Sequence, residues 1–169
     1  FVQLDQSDEV YVFGQSNGNM PISSGVYNNP NSGQFIQKFT NDLSTRLWGT
    51  VIGGGNGTIE ISPTAFLVSN CYEIYYAGWG GQTNQSSQAT QSTSNGLPTT
   101  PDAYQSTTNG NNFYVAVLDE NALQLNYATF MGGNGSANHV DGGTSRFDKK
   151  GRIYHAVCGA CGGNPNGFT

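Results

Sequence analysis

Leu47-Trp48-Gly49-Thr50-Val51-Ile52-Gly53-Gly54 returns 79 residues later as Asn126-Tyr127-Ala128-Thr129-Phe130-Met131-Gly132-Gly133. Both stretches place an aromatic residue, a small residue, Thr and two large apolar residues ahead of a Gly-Gly pair. The match extends outward in both directions. Tyr11-Val12-Phe13-Gly14 corresponds to Tyr75-Tyr76-Ala77-Gly78 at an offset of 64, and Ile74-Tyr75 corresponds to Ile153-Tyr154 at 79. Met20-Pro21-Ile22 leads to Val26-Tyr27 as Leu97-Pro98-Thr99 leads to Ala103-Tyr104. The offset grows because the second copy carries a polar insertion at residues 82–95. Self-similarity at such a period marks a unit that buries its apolar face only against a neighbouring copy.

Each copy contains four runs that read as strands. In the first they are Val10–Gly14, Gln34–Phe39, Leu47–Ile52 and Thr64–Val68. In the second they are Ile74–Gly78, Phe113–Leu118, Leu125–Met131 and Thr144–Phe147. Several alternate apolar with polar or small residues, as half-buried strands do. Turn residues separate them at Thr40-Asn41-Asp42, Asp119-Glu120-Asn121 and Asp148-Lys149-Lys150-Gly151. No long segment has a helical period. The expected fold is all-β: four-stranded antiparallel sheets, the blades of a β-propeller, forming a partial ring of about two and a half blades. The expected units are 1–73, 74–152 and the start of a third at 153–169. Phe1 starts in what reads as mid-strand and Thr169 falls inside a repeat, so a mature or internal stretch of a longer chain is expected.

Composition limits the function. Charged residues make up 10% of the chain and the net charge is −5, which excludes the broad basic surface that nucleic-acid binding requires. Glycine, at 24 residues, supplies turns, and an aromatic content of 12% supplies a core that a disordered chain would lack. No run approaches the ~20 apolar residues of a membrane-crossing helix. The glycine runs Gly53-Gly54-Gly55-Asn56-Gly57 and Gly132-Gly133-Asn134-Gly135 are followed by neither Lys-Ser/Thr nor a helix, so they are corners between strands and not phosphate loops. Asn56-Gly57-Thr58, Asn84-Gln85-Ser86 and Asn134-Gly135-Ser136 fit the glycosylation pattern by chance in an Asn-rich chain.

The longer phrases resemble a known family. They are Tyr11-Val12-Phe13-Gly14, Leu97-Pro98-Thr99-Thr100-Pro101-Asp102-Ala103-Tyr104, Leu125-Asn126-Tyr127-Ala128-Thr129-Phe130, Ile61-Ser62-Pro63-Thr64-Ala65-Phe66-Leu67-Val68 and His139-Val140-Asp141-Gly142-Gly143-Thr144. They are similar to the SBBP-type propeller repeats of large surface proteins of gliding Bacteroidota, which carry PKD-like domains and are exported by type IX secretion. The resemblance implies a secreted, cell-surface setting and a structural or adhesive role with no known chemistry. The partners it implies are other blades or domains of the same long chain, and outer-membrane proteins, secretion-system proteins or surface glycans. Neither nucleic acid nor direct membrane insertion is among them.

Candidate sites follow from residue chemistry. Trp79, flanked by Gly78 and Gly80, could stack on a sugar ring. His139 and Asp141, with Asp148 nearby, could form a polar ligand site. The structural alternative is that Asp148 caps its own turn, and that His139 and Asp141 hydrogen-bond within a Gly-rich corner. Trp48 and its repeat equivalent Tyr127 read as core. Cys71, Cys158 and Cys161 suit a structural disulfide in an oxidising compartment. Cys71 with Cys158 or Cys161 is the preferred pairing and a local 158–161 bridge the alternative. No metal site and no cofactor is expected; calcium is possible because hard cations take the Asp, Asn and backbone oxygens of such loops, and zinc at Cys158 and Cys161 is the weaker alternative to a disulfide. No Gly-x-Ser-x-Gly motif and no cluster of carboxylates points to an enzyme, so a non-enzymatic interaction module is the leading expectation and a carbohydrate-binding propeller the second.

Overall fold

Five tight turns of one design organise the chain. A computed structural model describes residues 1–81, 92–133 and 145–156. The strands are β1 (Val2–Leu4), β2 (Val10–Gln15), β3 (Gln34–Phe39), β4 (Arg46–Ile52), β5 (Ser62–Val68), β6 (Ile74–Trp79), β7 (Phe113–Leu118), β8 (Leu125–Met131), β9 (Ser145–Phe147) and β10 (Ile153–His155). The β1–β2, β5–β6 and β9–β10 turns superpose in their bonding. Asp5 Oδ1 accepts from the N–H groups of Ser7 and Glu9, Ser69 Oγ from those of Cys71 and Glu73, and Asp148 Oδ1 from those of Lys150 and Arg152. Asp8, Tyr72 and Gly151 then take positive φ at 60°, 63° and 76°, as Leu43 and Ala122 do at 61° and 54° in the β3–β4 and β7–β8 turns. A type I turn followed by a left-handed residue is a favoured short hairpin connection, and Asp, Ser or Thr at its first position supplies the missing acceptor.

Antiparallel meanders result. One four-stranded sheet runs β1-β2-β3-β4, a second runs β5-β6-β7-β8, and β9 pairs with β10 alone among the described residues. The protein is therefore all-β, with no helix among the described residues. Corresponding strands keep the same register: Phe35 faces Val51 as Tyr114 faces Phe130. The bulge also recurs, between Lys38 and Phe39 and between Val117 and Leu118.

The sheet boundaries differ from the expected units. Thr64–Val68 and the strand ending at Phe147 were expected to complete their copies, yet each pairs forward, with β6 and β10 respectively. The Ser69 and Asp148 turns bind each of these strands to its successor. The chain instead leaves the first sheet at Gly53 and the second at Gly132, which adopt φ of 149° and 144°. The first sheet thus spans residues 2–52 and the second 62–131, and the expected cut at 73 falls inside the β5–β6 hairpin.

The sheets pack face to face. Tyr11, Phe13, Ile36, Trp48 and Ile52 of the first join Phe66, Val68, Tyr76, Tyr114 and Phe130 of the second in one core. Phe13 sits 5.3 Å from Phe66 and 5.4 Å from Tyr76 between ring centroids. Burying one such ring contributes about 1.5–3 kcal/mol. The opposite face of the second sheet carries a smaller cluster, Ala65, Ala77 and Val115, packed on Phe147. β5 lies beside β1 and β2 on one side and β9 on the other.

The β2–β3 and β6–β7 connections close the outer sheet edges. Ser23 donates its N–H to Gly49 O and accepts from Gly49 N at its hydroxyl; Thr100 does the same with Ala128. Further along, Asn29 N–H bonds Val51 O while Phe130 N–H bonds Gln105 O, and the side-chain oxygens of Asn29 and Gln105 receive the N–H groups of Gly53 and Gly132. An exposed edge would otherwise invite pairing with another chain.

Candidate functional site

Alternation of strand direction sorts the connections. All five short turns lie at one end of the sheets, and the long connections 16–33, 53–61, 80–112 and 132–144 leave from the other. The long connections therefore start and end at one end of the sheets, and loops of this kind commonly carry recognition.

Beside that frame lies an apolar groove of about 410 Å³ on the second sheet, lined by Tyr104, Val115, Tyr127, Met131, Ile153 and His155 among others. Its walls correspond by repeat to a covered surface. Ile36, Trp48 and Ile52 of the first sheet are 0%, 9% and 2% exposed beneath the second sheet. Val115, Tyr127 and Met131 occupy the same register positions one sheet later, and Tyr127 and Met131 remain partly exposed. Trp48 is core as expected, packed edge-on to Tyr11 at 5.9 Å. Tyr127 is not, because among the described residues only β9 and β10 cover its sheet face. Tyr104, at the groove rim, is 70% exposed.

Trp79 ends β6 opposite Ser62 and Phe113, half-buried. The Phe113 ring carries His155 at 5.3 Å, and His155 Nδ1 lies 2.6 Å from Ser145 Oγ. Burial lowers the His155 pKa and favours its neutral ring. The Ser–His contact has the distance of a nucleophile and its base, but Ser145 is 1% exposed and, among the described residues, no carboxylate bonds the ring. The pair is a cross-strand link of the β9–β10 hairpin. Asp148 caps its turn, as the structural alternative expected, and the N–H of Arg152 at its carboxylate leads the interactions that hold its pKa down. Cys71 is an exposed free thiol in the β5–β6 turn. His139, Asp141, Cys158 and Cys161, and the insertion from 82 to 91, lie outside the described residues. Among the described residues no three His, Cys, Asp or Glu side chains gather to hold a metal.

Two buried charged clusters were missed by the sequence reading. Glu60 is fully buried; Gly54 N–H donates to both its oxygens at 2.8 Å, and Ser92 Oγ donates to its main-chain oxygen. Gln34, in the amide orientation that satisfies both its ends, donates to Glu60 Oε2 and accepts from Glu60 N. Burial pushes the Glu60 carboxyl up to about 7 against the opposing Gly54 hydrogen bond. The second cluster is Lys38, whose Nζ lies 3.3 Å from Asp5 Oδ2, 2.5 Å from Glu9 Oε2 and 4.9 Å above the Tyr11 ring. A signal existed for it: Lys38 shares a strand face with Ile36, and a charge on an inward face requires a buried partner. No family model, no curated protein and no solved structure matches this chain.

Proposed function

We propose that these sheets are consecutive blades of a β-propeller of the SBBP type, in a secreted cell-surface repeat protein, and that they act as a non-enzymatic scaffold. The observation that carries the reading is the recurrence of one sheet design: the β3–β4 register and bulge return in β7–β8, the edge clasp returns with them, and β9–β10 repeats the capped turn of the first hairpin of each sheet. Succession of β1, β5 and β9 side by side is the arrangement of innermost strands around a propeller axis. The scaffold presents its long-connection end to partners. The resemblance supplies the surface setting and the export route.

The test combines a substrate panel with a glycan array. A scaffold turns over no glycoside, ester, phosphoester or peptide substrate. Glycan binding that disappears in Trp79→Ala would favour a carbohydrate-binding propeller in its place, and turnover abolished by Ser145→Ala would favour an enzyme. Calcium addition and chelation both leave the unfolding midpoint where it was if no ion is part of the fold.

A further inference from the structure

The Lys38 cluster places an amine, a carboxyl and a proton carrier in contact beside the Tyr11 ring. We propose that Lys38 and Asp5 condense spontaneously into an intramolecular amide that staples β3 to the end of β1. The geometry supplies each part of that reaction. Lys38 is 8% exposed and the Asp5 side chain is fully covered, so water has little access to the amine or to the carboxyl carbon. Lys38 Nζ is 3.3 Å from Asp5 Oδ2. Asp5 Oδ1 receives the N–H groups of Ser7 and Glu9 at 2.8 and 3.0 Å, which is where an oxyanion would need two donors. Asp5 Oδ2 and the Tyr11 hydroxyl are both buried, and both face Lys38 Nζ. Glu9 Oε2, 2.5 Å from Nζ, is placed to take and return protons.

The step balances without any further reactant. The resting state is the ion pair: burial pulls the Lys38 pKa down, but Glu9, Tyr11 and Asp5 outweigh it and hold it above the ordinary value. Burial raises the Asp5 pKa, and the Ser7, Glu9 and Lys38 hydrogen bonds outweigh that and hold it low. Reaction begins when the ammonium passes a proton to Glu9. Glu9 hands that proton to Asp5 Oδ2, so a neutral carboxyl faces the amine; the freed lone pair attacks Cγ, a C–N bond forms, and negative charge collects on Oδ1 between the two N–H groups. Glu9 then relays a second proton from the nitrogen to Oδ2. The Cγ–Oδ2 bond breaks and one water leaves, so the ammonium and carboxylate become an amide and nothing is oxidised or reduced. Glu9 is itself 31% exposed on its side chain and lacks the paired N–H groups, which makes Asp5 the acceptor carbon. The staple ties down β1, a three-residue strand that, among the described residues, pairs only with β2. It is independent of whether the sheets belong to a ring.

Intact mass of the purified chain decides the matter. The expected mass is that of the sequence less one water. Trypsin then fails to cut after Lys38, and residues 1–46 emerge as one linked peptide whose fragmentation joins Asp5 to Lys38. Glu9→Gln, which keeps the shape, retains its far-ultraviolet spectrum and shows the full mass with normal cleavage; Lys38→Arg does likewise. A wild-type chain of full mass cleaved after Lys38 overturns the proposal. So does a water loss that maps to Glu9 or to any other pair, and so does a Glu9→Gln chain that still condenses.

Discussion

Glu60 shows how one residue fixes its surroundings. Its carboxyl fills the space where the side chains of Gly53 and Gly54 would stand: a Cβ on Gly53 would overlap Oε2, and one on Gly54 would lie 2.5 Å from Oε1. Gly53→Ala therefore meets both a steric clash and a φ of 149° that favours glycine, and should cost about 2–4 kcal/mol in chemical unfolding. The charge gives a second expectation. A folded pKa of about 7 against an ordinary value of 4.5 means that the fold prefers the neutral acid. The stabilisation is fully present below the unfolded pKa and is lost as pH rises toward the folded one, amounting to about 3 kcal/mol across that window. Denaturant titrations at pH 5 and pH 8 should show the chain less stable at pH 8, with Glu60→Gln removing most of the difference. A chain equally stable at both values, with Glu60 intact, contradicts this account of the residue.

At the scale of the element, the decisive devices are the turn caps and the edge clasps. Ser69 satisfies two N–H groups of the β5–β6 turn, so Ser69→Ala should lower stability by about 1 kcal/mol, read from the unfolding midpoint. Thr100→Val keeps the shape of the clasp and removes the oxygen that receives Ala128 N–H. Amide exchange at Ala128 should then accelerate several-fold while exchange in β6 stays unchanged; equal acceleration in both strands would mean that the clasp does not act locally. These elements were unequally legible in sequence. Strands β2, β3, β4, β6, β7 and β8 followed from alternation, and the Asp148 cap from the Asp-Lys-Lys-Gly string. The partner of Thr64–Val68 did not, because alternation identifies a strand but not which neighbour it joins, and Ser69-Asn70-Cys71-Tyr72 hides its left-handed position behind a tyrosine. The clasps were invisible too, since Ser23 and Thr100 lie in segments that read as plain loop. The Glu60 and Lys38 clusters depend on strand pairings that local pattern cannot supply, whereas Trp48 was legible as core from its place in the repeat.

At the scale of the molecule, the first and second sheets cover each other, and the groove beside β10 leaves the corresponding surface of the second sheet partly open among the described residues. Met131→Lys should therefore leave stability within about 0.5 kcal/mol, whereas Ile52→Lys, its buried repeat equivalent, should prevent folding. Equal effects at the two positions would remove the contrast between covered and open faces. The central claim is that one four-stranded design occurs twice in succession, with β5 opening the second sheet. A map of short interproton distances across strands by nuclear magnetic resonance tests it most directly. The account predicts matched sets of contacts, Phe35 with Val51 and Tyr114 with Phe130, Ser23 with Gly49 and Thr100 with Ala128, and pairing of β5 with β6. A map in which one member of each pair is missing, or in which Thr64–Val68 lies alongside β4, would contradict it.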